Sequence, residues 1–179
     1  IPMHGITMRE LMKTEAVSLS DFANHVSFAF FETRLKRKHI ELRMFDAQRP
    51  KLLPSIPALI KGLLYDDATR KRMLEYFSGW DEQAVATLSS HSHTFGLKTQ
   101  VGNKLLLDLC RDVFEAAKGG LKTLAQEGLL AKEADLQYLE PIEELLFNQG
   151  ISPAETLLDA WEKRVNNLLN LKSIMTGVE

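Results

Sequence analysis

Two patterns of apolar and polar positions meet near Tyr65. Beyond it, apolar residues recur at helical spacing, one amphipathic segment after another. Before it, turn residues, a basic run and one short alternating segment share the chain. In that segment, His39–Asp46, the apolar Ile40, Leu42 and Met44 interleave with Glu41 and Arg43, which is the period-2 signature of a half-buried strand. Residues 1–9 read as irregular chain or a short strand broken by Pro2 and Gly5, and Arg9–Lys13 as a helical turn. Ser20-Asp21 can cap a helix running through Phe22, Val26, Phe28 and Phe30.

Downstream, Pro57 opens a helix through Ala58, Leu59, Ile60, Leu63 and Leu64. Asp66-Asp67 start another that ends near Ser78-Gly79, and Asp81–Leu88 forms a third. His91–Gln100 is polar and contains Gly96, so it reads as a loop. Residues 103–118 place Leu105, Leu106, Leu109, Val113, Phe114 and Ala117 on one helical face; Gly119-Gly120 then interrupts before a short helix to about Gln126. Two helices close the chain, roughly 132–148 and 153–171. The last has a complete start signal, with Ser152 as cap, Pro153 in the first turn and Glu155 placed to return a hydrogen bond. The sum is an α+β chain dominated by helices, with a strand at about 39–46 whose face of Ile40, Leu42 and Met44 packs on helices of the second half. Residues 1–66 are expected to form the strand-containing part of one domain and 67–179 its helical part. No internal repeat or low-complexity tract is present.

Composition narrows the class without naming a function. A chain of 179 residues that is 45% hydrophobic and 26% charged can bury one core. Its net charge of −2 gives no global reason to bind nucleic acid or an anionic membrane. The single cysteine, Cys110, rules out an internal disulfide and any multi-cysteine metal site, and it sits in an apolar helical stretch as a core residue would. The start has no secretory signal pattern, so a reduced, cytoplasmic setting is expected. The chain opens on Ile1, which fits a piece of a longer protein.

Candidate chemistry concentrates in the strand. Residues at i and i+2 share a face about 7 Å apart, so Glu41 and Arg43 project together. A carboxylate suits Mg2+, and a guanidinium suits a phosphate or carboxylate gripped by two parallel hydrogen bonds. The alternative for the same pair is a cross-strand surface ion pair. Arg34, Lys36, Arg37 and Lys38 make a dense positive patch, either a solvated turn or the neighbour of a phosphate. Lys98 could neutralise a developing phosphate charge, or simply be solvated. His91 and His93 are spaced i,i+2 with no third ligand nearby, which makes a zinc site a poor fit. Trp80 and Trp161 suit packing. There is no P-loop, no GxSxG elbow and no HExxH.

A resemblance adds what spacing leaves open. The run Arg34-Leu35-Lys36-Arg37-Lys38-His39-Ile40-Glu41-Leu42-Arg43-Met44-Phe45-Asp46-Ala47-Gln48 resembles a "RLKRYLEMRGAD" segment of plant-type glutamate–cysteine ligases. Leu59-Ile60-Lys61-Gly62-Leu63-Leu64-Tyr65-Asp66 is similar to their "FWVGLLYD", and Thr94-Phe95-Gly96-Leu97-Lys98-Thr99 to "VTGLKT". Gly150-Ile151-Ser152-Pro153-Ala154-Glu155 is similar to "GVTPAE", and Gly5-Ile6-Thr7-Met8-Arg9 to "GMTFR". The matches fall in order and cover nearly the whole chain.

The resemblance implies the carboxyl-terminal half of a ligase with a glutamine-synthetase-like antiparallel sheet. Such an enzyme joins the γ-carboxylate of glutamate to the amine of cysteine, the first step of glutathione synthesis. ATP first phosphorylates the carboxylate, and Mg2+ screens the phosphates. Carried over, Glu41 is the metal ligand and Arg43 the catalytic anion clamp, with Arg37 and Lys98 as further substrate or ATP contacts. His39 stands at the first arginine of the R-x-E-x-R pattern of glutamine synthetases, and Arg37 can supply that charge instead. The amino-terminal half, with most of the metal-binding carboxylates, is not in this chain, so the chain alone is expected to be inactive. Met3 and Pro54 stand where two regulatory cysteines of the plant enzymes would fall, so plant-type thiol switching is not expected. The competing readings are another carboxylate–amine ligase of the same fold and a non-catalytic helical interaction module.

Overall fold

The computed structural model describes residues 7–14, 17–22, 33–35, 38–128 and 130–164. The expected helical positions Val26, Phe28 and Phe30, the breakers Pro2 and Gly5, residues 165–171 of the last helix, and Arg37 of the basic run lie outside the described residues. Contacts divide the chain into two units, Ile1–Asp46 and Ala47–Glu179.

In the first unit, helix α1 spans Met8–Thr14. It starts on a capping box: the Thr7 backbone N–H donates to Glu10 Oε2 at 2.8 Å, and the Glu10 N–H donates to Thr7 Oγ1 at 3.2 Å. The next helical turn, at 19–22, opens on the same device with Ser18 and Asp21 rather than on Ser20. Strands β1 (Thr33–Leu35) and β2 (Ile40–Leu42) pair antiparallel in the register Thr33↔Leu42, Arg34↔Glu41 and Leu35↔Ile40. The strand expected over 39–46 is therefore three residues long, and its partner comes out of the basic run. Ile40 and Met44 keep 58% and 51% of their surface exposed, so the apolar face expected to be buried is largely open.

The second unit is built around one long helix. Helix α2 (Ser55–Leu64) starts two residues before Pro57, and α3 (Asp67–Tyr76) starts where expected, with the Asp66 carboxylate accepting from the Thr69 N–H at 2.8 Å. Asp81 caps α4 (Glu82–Phe95) in the same way. Helix α4 runs through His91, His93 and Phe95, where a loop was expected. Polarity misled there: α4 has no buried residue, so a polar surface does not prevent a capped helix from continuing. A 3-10 turn (Gly96–Lys98) leads into strands β3 (Gln100–Val101) and β4 (Lys104–Leu105), a hairpin with Gly102 at φ +59° in its two-residue turn.

Helix α5 runs unbroken from Leu106 to Gln126 and buries Leu109, Phe114, Ala116, Ala117, Gly120, Leu121 and Leu124. The expected break at Gly119-Gly120 does not occur. Gly120 is where α5 crosses α2: a Cβ there would overlap the Gly62 carbonyl oxygen, and a Cβ on Gly62 would overlap the Ala117 carbonyl oxygen. These glycines allow close backbone approach rather than a turn. The expected helix at 132–148 divides into a 3-10 segment (Glu133–Leu139), a helical turn α6 (Glu140–Glu143) and a π-helical segment (Glu144–Gln149). Leu139 and Leu146 carry these pieces into the core with Ala58, Phe114, Leu121 and Leu124. Arg111 donates from Nε to the Leu146 carbonyl at 3.0 Å and lies over the Phe147 ring. Helix α7 is described over Pro153–Arg164 and begins with the expected box, Ser152 N–H to Glu155 Oε2 at 2.7 Å and Glu155 N–H to Ser152 Oγ at 3.2 Å.

Candidate functional site

The β1–β2 hairpin sets the geometry around Glu41. Antiparallel register places Arg34 directly opposite it, and Arg34 Nη2 donates to Glu41 Oε2 at 3.0 Å and to Oε1 at 3.3 Å. Arg43, just past the strand end, brings Nη1 to 3.7 Å from Glu41 Oε1. Glu41 and Arg43 thus share a face as the spacing predicts, and the cross-strand ion pair allowed as the alternative is also present. The side chain of Arg34 is 14% exposed, against 32% for Glu41 and 35% for Arg43. Both guanidiniums of this trio lie beside the Glu41 carboxylate.

A glutamate carboxylate is a hard oxygen donor. Mg2+ ordinarily takes only one or two protein carboxylates and fills its other positions with water and substrate phosphates. Glu41 fits as one such ligand. Among the described residues, no group of three or more His, Cys, Asp or Glu could hold a metal by itself, so Glu41 would be one contributor among several.

The remaining residues singled out in the sequence lie in the second unit. Lys98 closes the 3-10 turn and is exposed, while its neighbour Thr99 is buried and donates from Oγ1 to the Gly96 carbonyl at 2.7 Å. His91 and His93 stand two positions apart on α4, which turns them to different sides of the helix, and His91 meets Phe95 edge-on. Cys110 is half-buried, and burial pushes its thiol pKa up, as for an inert core thiol. Trp80 packs edge-on against Phe77 at 5.4 Å between ring centres. It also lines a shallow cleft of about 420 Å3 with Ala84, Thr87, Leu88, Gln100 and Val101.

One polar cluster has no sequence signal. Asp112 on α5 accepts from the Tyr76 hydroxyl at 2.7 Å and from Lys104 Nζ at 2.8 Å, clipping α3 and the β3–β4 hairpin to the long helix. The Lys104 hydrogen bond, then that of Tyr76, holds the Asp112 carboxyl below its usual range. The hydrogen bond to Asp112 raises both partners. Arg34, by contrast, was legible only as part of a basic run. The signal that would have found it is the antiparallel register, which places residue 34 opposite residue 41.

The glutamate–cysteine ligase family 2 (GCS2) pattern matches residues 2–175. The chain belongs to glutamate–cysteine ligase family 2. Family members with similar sequences include the chloroplastic glutamate–cysteine ligase of Medicago truncatula, 32% identical over 177 residues, which cover 93% of this chain and 33% of that protein. The Arabidopsis thaliana enzyme is 33% identical over 164 residues, covering 88% of this chain and 30% of its own length. That of Brassica juncea is 30% identical over 164 residues, with the same coverage. The chain thus spans about a third of the length of the curated relatives it matches. No helix among the described residues is long and apolar enough to cross a membrane.

Proposed function

We propose that this chain is the carboxyl-terminal part of an ATP-dependent ligase that makes γ-glutamylcysteine from glutamate and cysteine, the entry to glutathione synthesis. The observation that carries this reading is the family match over residues 2–175 together with the Glu41–Arg43 pair on one face of the β2 hairpin. A carboxylate has no leaving group, so ATP converts the glutamate γ-carboxylate to an acyl phosphate, and the cysteine amine displaces the phosphate. Crowded negative charge is the obstacle in both steps, and fixed cations lower it. Arg43 grips the transferred phosphate or the glutamate carboxylate through its two-pronged guanidinium. Arg37 and Lys98 add positive charge for ATP or substrate. Glu41 would help to hold Mg2+, which when bound would screen the phosphates. The other ligands and most of the glutamate pocket come from the rest of the polypeptide.

The test is steady-state kinetics on the intact enzyme. Glu41→Gln keeps the shape and removes the charge that holds a cation; turnover is expected to fall about 100-fold or more, the scale of one electrostatic contact worth roughly 3 kcal/mol. Arg43→Lys is expected to lose activity with little change in melting temperature, because a point charge does not reproduce the guanidinium fork and a half-exposed charge adds little to folding. Near-normal rates in both variants would remove this hairpin from the active site.

A further inference from the structure

We infer that one face of α4, with the cleft beside it, is the docking surface for the part of the ligase polypeptide that lies outside this chain. This rests on the reading above, in which the chain is one part of a longer ligase. Helix α4 has 14 residues and buries none of them. Its largest apolar residues nevertheless share one side. Leu88 and Phe95 fall seven positions apart, on one stripe with Ala84 and His91, and Val85 stands at its edge. His91 meets Phe95 edge-on along that stripe, with ring centres 6.4 Å apart. The opposite side carries Glu82, Ala86, Ser89 and His93. Phe95 keeps 59% of its surface exposed and Val85 53%. The cleft continues the stripe: Ala84 and Leu88 belong to both, and Trp80 and Val101 add apolar lining.

A helix this exposed is marginal on its own. Isolated helices shorter than about 12–15 residues barely hold in water even when rich in alanine, and a packed amphipathic face supplies most helical stability in proteins. Seven of the 14 residues of α4 are Ser, Thr or His, all weaker helix formers than alanine. A stripe laid out in this way therefore calls for cover. Size decides what covers it. Helix α4 is about 21 Å long and about 10 Å wide, so its face offers on the order of 200 Å2. A stable contact between separate molecules takes about 800 Å2 per partner, which disfavours a second copy. A surface tethered in the same polypeptide needs far less, because its effective concentration is high. The relatives carry the polypeptide to do this: the chain spans about a third of their length, and the family match runs through α4.

The experiment places the photo-reactive residue p-benzoylphenylalanine in the intact ligase in place of Phe95, of Val85, and of Ala86 on the opposite side as control. Cross-linked peptides are mapped by mass spectrometry. The substitutions at Phe95 and Val85 are expected to join peptides of the same polypeptide that lie outside these 179 residues, and the one at Ala86 is not. Phe95→Asp should also lower the melting temperature of the intact ligase by several degrees, because a carboxylate then replaces a covered ring. Ala86→Asp should change it little. Cross-links that stay within the 179 residues, that join two copies, or that are no more frequent from Phe95 than from Ala86 would overturn the inference, as would a Phe95→Asp protein that melts like Ala86→Asp. Where Phe95→Asp does not fold, the cross-links decide by themselves. Synthesis of γ-glutamylcysteine by the unmodified ligase is read separately. If it occurs but the cross-links fail, only the docking surface is wrong. If it does not occur and the cross-links fall as expected, the docking surface stands and the ligase reading fails.

Discussion

Two adjacent glycines on α5 should respond to the same substitution with opposite signs. Gly119 and Gly120 both lie inside the helix, where alanine is preferred by up to about 1 kcal/mol. Gly119 is exposed, and nothing lies within 4 Å of the place its Cβ would take. Gly119→Ala should therefore stabilise by about 0.5–1 kcal/mol. Gly120 is buried against α2. Its added methyl would sit roughly 1 Å inside van der Waals contact with the Gly62 carbonyl oxygen, and 2.9 Å from Thr69 Oγ1. A backbone carbonyl cannot rotate away as a side chain can, so α2 and α5 must separate and loosen the packing of Ala58 with Phe114 and Leu121. Overpacking of this kind costs about 1–3 kcal/mol, occasionally more, which exceeds the propensity gain. The two variants should then differ by the overpacking cost, about 1–3 kcal/mol, a gap on the order of 2–12 °C in melting temperature. Thermal melts by circular dichroism, with urea midpoints alongside, measure it. A Gly120→Ala protein melting at or above wild type would show that the helices do not cross at this contact.

Asp112→Asn should lower the melting temperature at neutral pH by replacing the charged acceptor shared by Tyr76 and Lys104 with a neutral amide oxygen. Because the folded-state pKa of Asp112 is depressed below 3.8, the carboxylate's contribution is present above that value and lost as pH falls through the depressed one. The gap between wild type and variant should therefore close in acid; a gap unchanged at about pH 2 would contradict the linkage. At the alkaline end Lys104 and Tyr76 shift up, so their contribution fades only as pH rises past 10.5 and 10.0 respectively. The 179-residue chain alone should release no phosphate from ATP in the presence of glutamate and cysteine, since positioning needs groups from the rest of the enzyme; a substrate-dependent release would overturn that expectation.

The local signals along this chain are read by local physics, and there the sequence was a good guide. Asp66, Asp81 and Ser152-Glu155 start helices as written, because a cap is a contact between residues two or three apart. The alternation around Glu41 likewise predicts a strand and a shared face for Glu41 and Arg43, since both follow from the two-residue repeat. Ordered short motifs carried the family. What depended on distant neighbours was not legible. Gly119-Gly120 reads as a helix breaker until the approach of Gly62, nearly sixty residues away, turns Gly120 into a crossing point. The partner of β2 was hidden in a run of basic residues whose composition says solvated turn, and only the hairpin register brings Arg34 to Glu41. The Tyr76–Asp112–Lys104 clip joins three elements and has no spacing to announce it. Caps and alternation are fixed by bonds a few residues long, whereas a crossing, a register and a tertiary ion cluster exist only once the chain has folded back on itself.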